Sequence, residues 1–185
     1  MDLFSASLDG LNLAGQVVMH ILFTGRLTGK KLKIWHFVLY FFLLCVIWFV
    51  SNRFSLSGTP SVIACVLALY ATSRFGMGNQ RLASWLCAVL AFYISQLSFG
   101  IINSVEAAVF PRYLGNPLLY LLLAAAMAVF FLLCAGCYAA VLKLLSLAED
   151  RRTPYLGLLL LPGLFFFAAE LYILHSAYSF FAPSL

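Results

Sequence analysis

The run Arg151-Arg152-Thr153-Pro154-Tyr155-Leu156-Gly157-Leu158-Leu159-Leu160-Leu161-Pro162-Gly163-Leu164-Phe165-Phe166-Phe167-Ala168-Ala169-Glu170-Leu171-Tyr172-Ile173-Leu174-His175 decides how the rest of the chain is read. From Tyr155 to Leu174 every residue is apolar or small except Glu170 and the tyrosines. About 20 such residues are what a helix needs to cross a hydrocarbon core of roughly 30 Å. Two arginines precede the run and no basic residue follows it, so the positive-inside bias places its start in the cytoplasm and its end outside. Glu170 then lies about 23 Å from the cytoplasmic boundary, in the outer third of the membrane. An ionisable group at that depth is costly unless it faces the bundle interior or a wet cavity, which makes this helix a wall of whatever site the protein has. The Pro162-Gly163 pair is expected to bend it, because proline removes one intrahelical hydrogen bond.

Composition carries the same reading to the whole chain. Of its 185 residues 64% are hydrophobic and 9% charged, where a soluble domain has about a quarter charged. Hydrophobic runs take up nearly the full length, leaving room for one transmembrane domain over 1–185 and no soluble domain beside it. The net charge of +5 does not indicate nucleic acid, since the basic residues fall between the hydrophobic runs, where they orient the protein and meet anionic headgroups. Met1-Asp2-Leu3-Phe4 has no basic n-region, so no removable signal peptide is expected. The five cysteines all lie inside apolar runs and are odd in number, which is not a disulfide framework. Cys134 and Cys137 have the Cys-x-x-Cys spacing but no second pair to complete a metal shell, and are read as small helix-contact residues.

Working outward, the chain is expected to be all-α, a polytopic membrane bundle of six transmembrane helices over about 3–23, 34–50, 61–75, 82–105, 118–142 and 155–174. The first is the least apolar. Its Ser5, Asp9, Asn12, Gln16, His20 and Thr24 fall within an arc of about 120° at helical spacing, one polar face that must point into the bundle if the helix spans. The alternative is an interfacial helix lying flat, but such helices usually carry Lys or Arg on the polar face and none occurs before Arg26. Trp35 and Tyr40 near one end of the second helix and Trp48 near the other suit aromatic belts, although packing explains them almost as well. The third, with Pro60 at its first turn, is the shortest. The fourth carries Gln96, Gly100 and Asn103 on one face, and the fifth is rich in alanine over Leu121 to Ala128, as where backbones approach closely in lipid.

Loop charge sets the orientation. Arg26, Lys30, Lys31 and Lys33 follow the first helix, Arg74 and Arg81 the third, and Lys143, Arg151 and Arg152 the fifth, leaving Arg53 and Arg112 on the other side. A cell-membrane protein with both termini extracellular is expected. With odd helices descending and even helices rising, Asp9, Asn12, Gln96 and Glu170 share the outer half of the core, and Asn103 lies above Gln96 on the same face. Those five residues are the candidate ligand-binding site, an outward-facing polar pocket formed if helices one, four and six adjoin.

The runs Gln96-Leu97-Ser98-Phe99-Gly100-Ile101-Ile102-Asn103-Ser104, Thr153-Pro154-Tyr155-Leu156, Leu161-Pro162-Gly163-Leu164-Phe165 and Glu170-Leu171-Tyr172-Ile173-Leu174 resemble the membrane sensor regions of AgrC-type bacterial histidine kinases of the GHKL class. The resemblance spans most of the chain. It implies a polytopic input domain of two-component, quorum-sensing signalling that perceives an extracellular signal, often a peptide, and passes it to a cytoplasmic kinase. No phosphoacceptor helix and no ATP-binding boxes follow His175, so by itself the chain is not expected to be an enzyme. The partners expected are the lipid bilayer, an extracellular peptide or small-molecule ligand and a second copy in a homodimer, with no nucleic acid.

Neither catalytic residues, metal ligands nor a cofactor are assigned. Intramembrane proteolysis of the AgrB type would need a histidine and a cysteine together, and the candidates are His20, His36 and Cys87. Here His20 belongs to the polar stripe and His36 sits beside a basic turn, where packing and headgroup contact account for them. A zinc site would need three or four ligands within reach, and His20, His36 and His175 fall at different heights. The alternative function is the substrate-binding membrane component of a vitamin or metal importer, which the chain resembles in size and helix number. Such components keep both ends in the cytoplasm, against the charge count.

Overall fold

The computed structural model describes residues 3–54, 59–113 and 116–148. Within them the chain forms α1 (Leu3–Thr28), α2 (Ile34–Phe54), α3 (Thr59–Ala71) continued by a π-turn (Thr72–Gly76), α4 (Arg81–Val109), a 3-10 turn (Phe110–Tyr113) and α5 (Leu118–Ala148), with no strand among the described residues. The helices Ile34–Phe54, Arg81–Glu106 and Leu118–Lys143 are long and apolar enough to cross a membrane, and Pro60–Gly76 is a shorter apolar helix. These mark the chain as a membrane protein. The sixth expected helix, with Glu170 and the Pro162-Gly163 kink, lies outside the described residues.

The helices overrun the expected bounds at their ends: α1 continues to Thr28, α2 to Phe54, α4 to Val109 and α5 to Ala148. Apolar length measures the lipid crossing, whereas helical hydrogen bonding continues into the polar zone beyond it. Local chemistry then stops each helix. Gly29 takes the left-handed conformation, φ 64°, and the Lys30 N–H bonds back to the Gly25 carbonyl at 3.1 Å, a Schellman cap. Gly25 stays inside the helix, with the Leu32 side chain folded over it. At the start of α2 the His36 ring reaches back so that Nδ1 accepts the Lys33 N–H at 3.2 Å, in the manner of a capping box. Asn116 caps α5, its Oδ1 accepting the Leu118 N–H at 2.9 Å.

The end of α3 is wound wide. Met77 N–H bonds to the Thr72 carbonyl at 3.1 Å, and Gly78, φ 69°, turns the chain so that Asn79 N–H reaches the Ser73 carbonyl at 3.2 Å. The Asn79 amide donates to Ser73 Oγ at 3.0 Å and Arg74 donates to the Asn79 carbonyl at 2.6 Å, closing the turn on itself. π-turns of this kind carry a short helix on where an α-turn would end.

Side-chain contacts fix the direction of each helix. Phe23 stacks on Tyr138 at 4.4 Å, and a Cβ on Gly15 would run into the Phe131 ring, so α1 and α5 run parallel. Ser51 meets Ser61 at 2.7 Å while Leu39 and His36 lie over Gly76, so α2 and α3 are antiparallel. Consecutive helices therefore alternate, and α4 is central, packing on α1, α3 and α5. Of its apolar stretch 61% is buried, against 17% for α2 and 11% for α5. The core runs along α1 and α4 through Val17, Ile21, Phe23, Ala88, Ala91 and Ile94.

Candidate functional site

The polar face of α1 points into the bundle where it is described: His20 and Thr24 are buried, and Asn12 and Gln16 half-buried. The i, i+4 spacing of Asn12, Gln16, His20, Thr24 and Thr28 keeps them on one side of the helix. The Gln16 amide donates to Asn12 Oδ1 at 3.2 Å, and Thr28 Oγ1 donates to the Thr24 carbonyl at 2.8 Å.

Four helices meet at His20. Its Nδ1 lies 2.9 Å from the Tyr40 hydroxyl of α2 and its Nε2 2.9 Å from Ser95 Oγ of α4. Ser95 Oγ is 3.1 Å from the Tyr138 hydroxyl of α5, which donates to the Ala91 carbonyl at 2.9 Å. A carbonyl only accepts, and that sets the direction of the chain from Tyr138 back to His20. Tyr138 gives its single proton to Ala91, so Ser95 must donate to Tyr138. Ser95 then has no proton left for the imidazole and accepts from His20 Nε2–H. His20 is fully buried with no carboxylate beside it among the described residues, which keeps it neutral; it is then the Nε2–H tautomer, and Tyr40 donates to its Nδ1. The Phe92 ring, 4.8 Å from His20, closes one side.

This arrangement decides what the pair can do. His20 and Ser95 are at the separation of a base and its nucleophile, but the imidazole donates to the serine instead of standing ready to take its proton. The chain ends on a backbone carbonyl, so it cannot reverse its polarity as a proton relay must. It is a tie between helices. Two further hydroxyls flank it: Thr24 Oγ1 and Ser98 Oγ are buried without a hydrogen-bond partner among the described residues, and the Cys134 thiol, a weak partner, lies beside both Ser98 and Ser95. Among the described residues no three His, Cys, Asp or Glu side chains come together as a metal site would require.

The five residues expected to form the pocket are placed as follows. Helices α1 and α4 do adjoin. Asn12 precedes His20 by about 12 Å of helix and Asn103 follows Ser95 by about 12 Å, which puts the two at one height. Asn12 and Gln96 are half-buried, but Asn103 is exposed. Glu170 and the side chain of Asp9 lie outside the described residues. Sequence reasoning missed Ser95 and Tyr138, each a lone hydroxyl in an apolar helix, and left Tyr40 between an aromatic belt and packing. Tyr40 is fully buried, because its hydroxyl has the His20 nitrogen as partner inside the bundle, whereas Trp35 and Trp48 are exposed at 64% and 65%. His36, assigned to headgroup contact, is buried as the cap of α2. No family model, no curated protein and no solved structure matches the chain.

Proposed function

We propose that the protein is a membrane-embedded sensor, akin to the input region of an AgrC-type histidine kinase, in which an outward-facing polar pocket receives an extracellular peptide or small molecule. The observation that carries the reading is the polar face of α1, held inside the bundle against α4. Polar side chains in lipid persist where they are paired or wet, and such positions mark ligand sites more often than packing alone would require. Half-buried Asn12, Gln16 and Gln96 stand at one end of that face, above the tie formed by His20, Tyr40, Ser95 and Tyr138. A ligand that competes for the amides would act on a helix whose far half is tied to three others. Asp9 and Glu170 complete the proposed pocket and favour a ligand bearing a cation or several hydrogen-bond donors.

Orientation belongs to the same proposal. With alternating helices, the turns after α1 and after the π-turn share one side, and the cations gathered there support a cytoplasmic placement for it, which together with the sixth expected helix leaves both termini outside. The functional test joins the chain, through a further membrane-crossing segment, to a histidine-kinase module and measures the dose response to an activating culture extract. Glu170→Gln and Gln96→Leu should each weaken the response at equal expression. If both respond as the wild type does, the pocket is packing and sensing lies in the Arg53 or Arg112 turns.

A further inference from the structure

Two turns far apart in sequence meet at one end of the bundle. The first, between α1 and α2, carries Arg26, Lys30, Lys31 and Lys33, all exposed and without a hydrogen bond or ion pair from their side chains among the described residues. The second, from the π-turn to the start of α4, carries Arg74, tied to the Asn79 carbonyl, and Arg81, which is exposed. They are brought together by α2, whose His36 and Leu39 lie over Gly76. Glu106, whose carboxylate is the one described, belongs to the opposite end because it lies near the close of α4, and Asp9 stands at that same end in the opening turns of α1. Glu149 and Asp150, outside the described residues, are matched by Arg151 and Arg152 beside them in sequence. Nothing described at this end offsets five exposed cations.

The same end also exposes large apolar side chains. Ile34 is 79% exposed, Trp35 64%, Phe75 80% and Leu82 65%, each within two residues of a cation. Cations alone would suit a soluble anion, and apolar side chains alone would suit lipid tails. Interleaved at the end of membrane-crossing helices, they match a molecule that has a phosphate and acyl chains in one body. From this juxtaposition we infer that the α1–α2 turn and the start of α4 together form a docking surface for an anionic phospholipid, with Lys30, Lys31, Lys33 and Arg81 around the phosphate and Trp35 and Phe75 against the chains. The lipid also offsets charge beside α1, a helix too polar to rank among those apolar enough to span. The inference depends on neither the sensor reading nor the orientation.

The test compares the purified protein in nanodiscs of phosphatidylcholine with nanodiscs of equal parts phosphatidylcholine and phosphatidylglycerol. The unfolding temperature should be higher in the mixed lipid, and native mass spectrometry should detect retained phosphatidylglycerol. Each cation near an anionic surface strengthens association about fivefold, so Lys30→Gln/Lys31→Gln/Lys33→Gln should weaken retention at least about tenfold and remove most of the thermal shift. Arg53→Gln/Arg112→Gln, at the other end, should keep both. Should the triple variant not fold, raising the salt concentration on the wild type serves instead, and the shift should shrink with screening. Equal unfolding temperatures in the two lipids overturn the inference, as does a shift that survives the lysine substitutions or salt. A shift reproduced in pure phosphatidylcholine by dissolved glycerol phosphate also overturns it, because the surface would then bind a soluble anion.

Discussion

Both ring nitrogens of His20 are occupied inside the bundle, and the direction of each bond ranks the substitutions around it. Ser95→Ala leaves the His20 N–H without an acceptor, whereas Tyr40→Phe leaves only a lone pair without a donor. A buried donor is the harder group to strand. Ser95→Ala should therefore destabilise more than Tyr40→Phe, each within the roughly 0.6 to 1.7 kcal/mol of interhelical hydrogen bonds in membranes. Tyr138→Phe keeps the stack on Phe23 and removes the proton that pins the chain. In the double variant with Ser95→Ala its effect should be smaller than alone, with a coupling of about 0.6 kcal/mol. Unfolding free energies in bicelles for the two singles and the double give the answer, and strict additivity would show that Ser95 and Tyr138 do not act through their shared bond.

Glycine separates the helices into those that touch and those that face lipid. In α1, Gly15 faces α5, with Phe131 filling the place of a side chain, while a Cβ on Gly136 of α5 would meet nothing within 4 Å among the described residues. Gly15→Ala should destabilise by about 1–3 kcal/mol through overpacking. Gly136→Ala should be neutral or stabilise by up to about 1 kcal/mol, since alanine is the better helix former and no contact is lost. Thermal unfolding in one detergent compares them directly, and a larger loss at Gly136 than at Gly15 would contradict the assignment of their faces. At Gly29, φ 64° puts alanine in the left-handed region at a cost of about 1–2 kcal/mol, loosening the α1–α2 turn without touching the core.

At the scale of the molecule, alternation of the helices makes a prediction separable from orientation. Gly29 and Arg112 lie at opposite ends whichever way the bundle is inserted. In a background with the five native cysteines replaced, an impermeant thiol reagent applied outside intact cells should label Arg112→Cys and leave Gly29→Cys unlabelled. The reverse pattern keeps the fold, overturns the proposed orientation and favours the importer reading. Labelling of both positions would contradict the alternating arrangement itself.

What could be read from the sequence was whatever depends on a residue's own solvent. An apolar run of sufficient length is helical in lipid because its backbone has no other hydrogen-bond partner, so α2, α4 and α5 were legible with their order and approximate bounds. The inward direction of the α1 polar face was legible too, since six polar residues at helical spacing cannot all face acyl chains. Tertiary structure decided what depends on a partner from another helix. A lone hydroxyl such as Ser95 or Tyr138 carries no period, and Tyr40 reads as an interfacial aromatic until His20 is found 2.9 Å from its hydroxyl. The proton order from Tyr40 to Ala91 follows from the nature of the last acceptor, a backbone carbonyl that no sequence pattern distinguishes from its neighbours. Likewise, helical spacing placed Asn103 on a face with Gln96, but its exposure is set by where α1 and α5 lie against α4, and that is a property of packing alone.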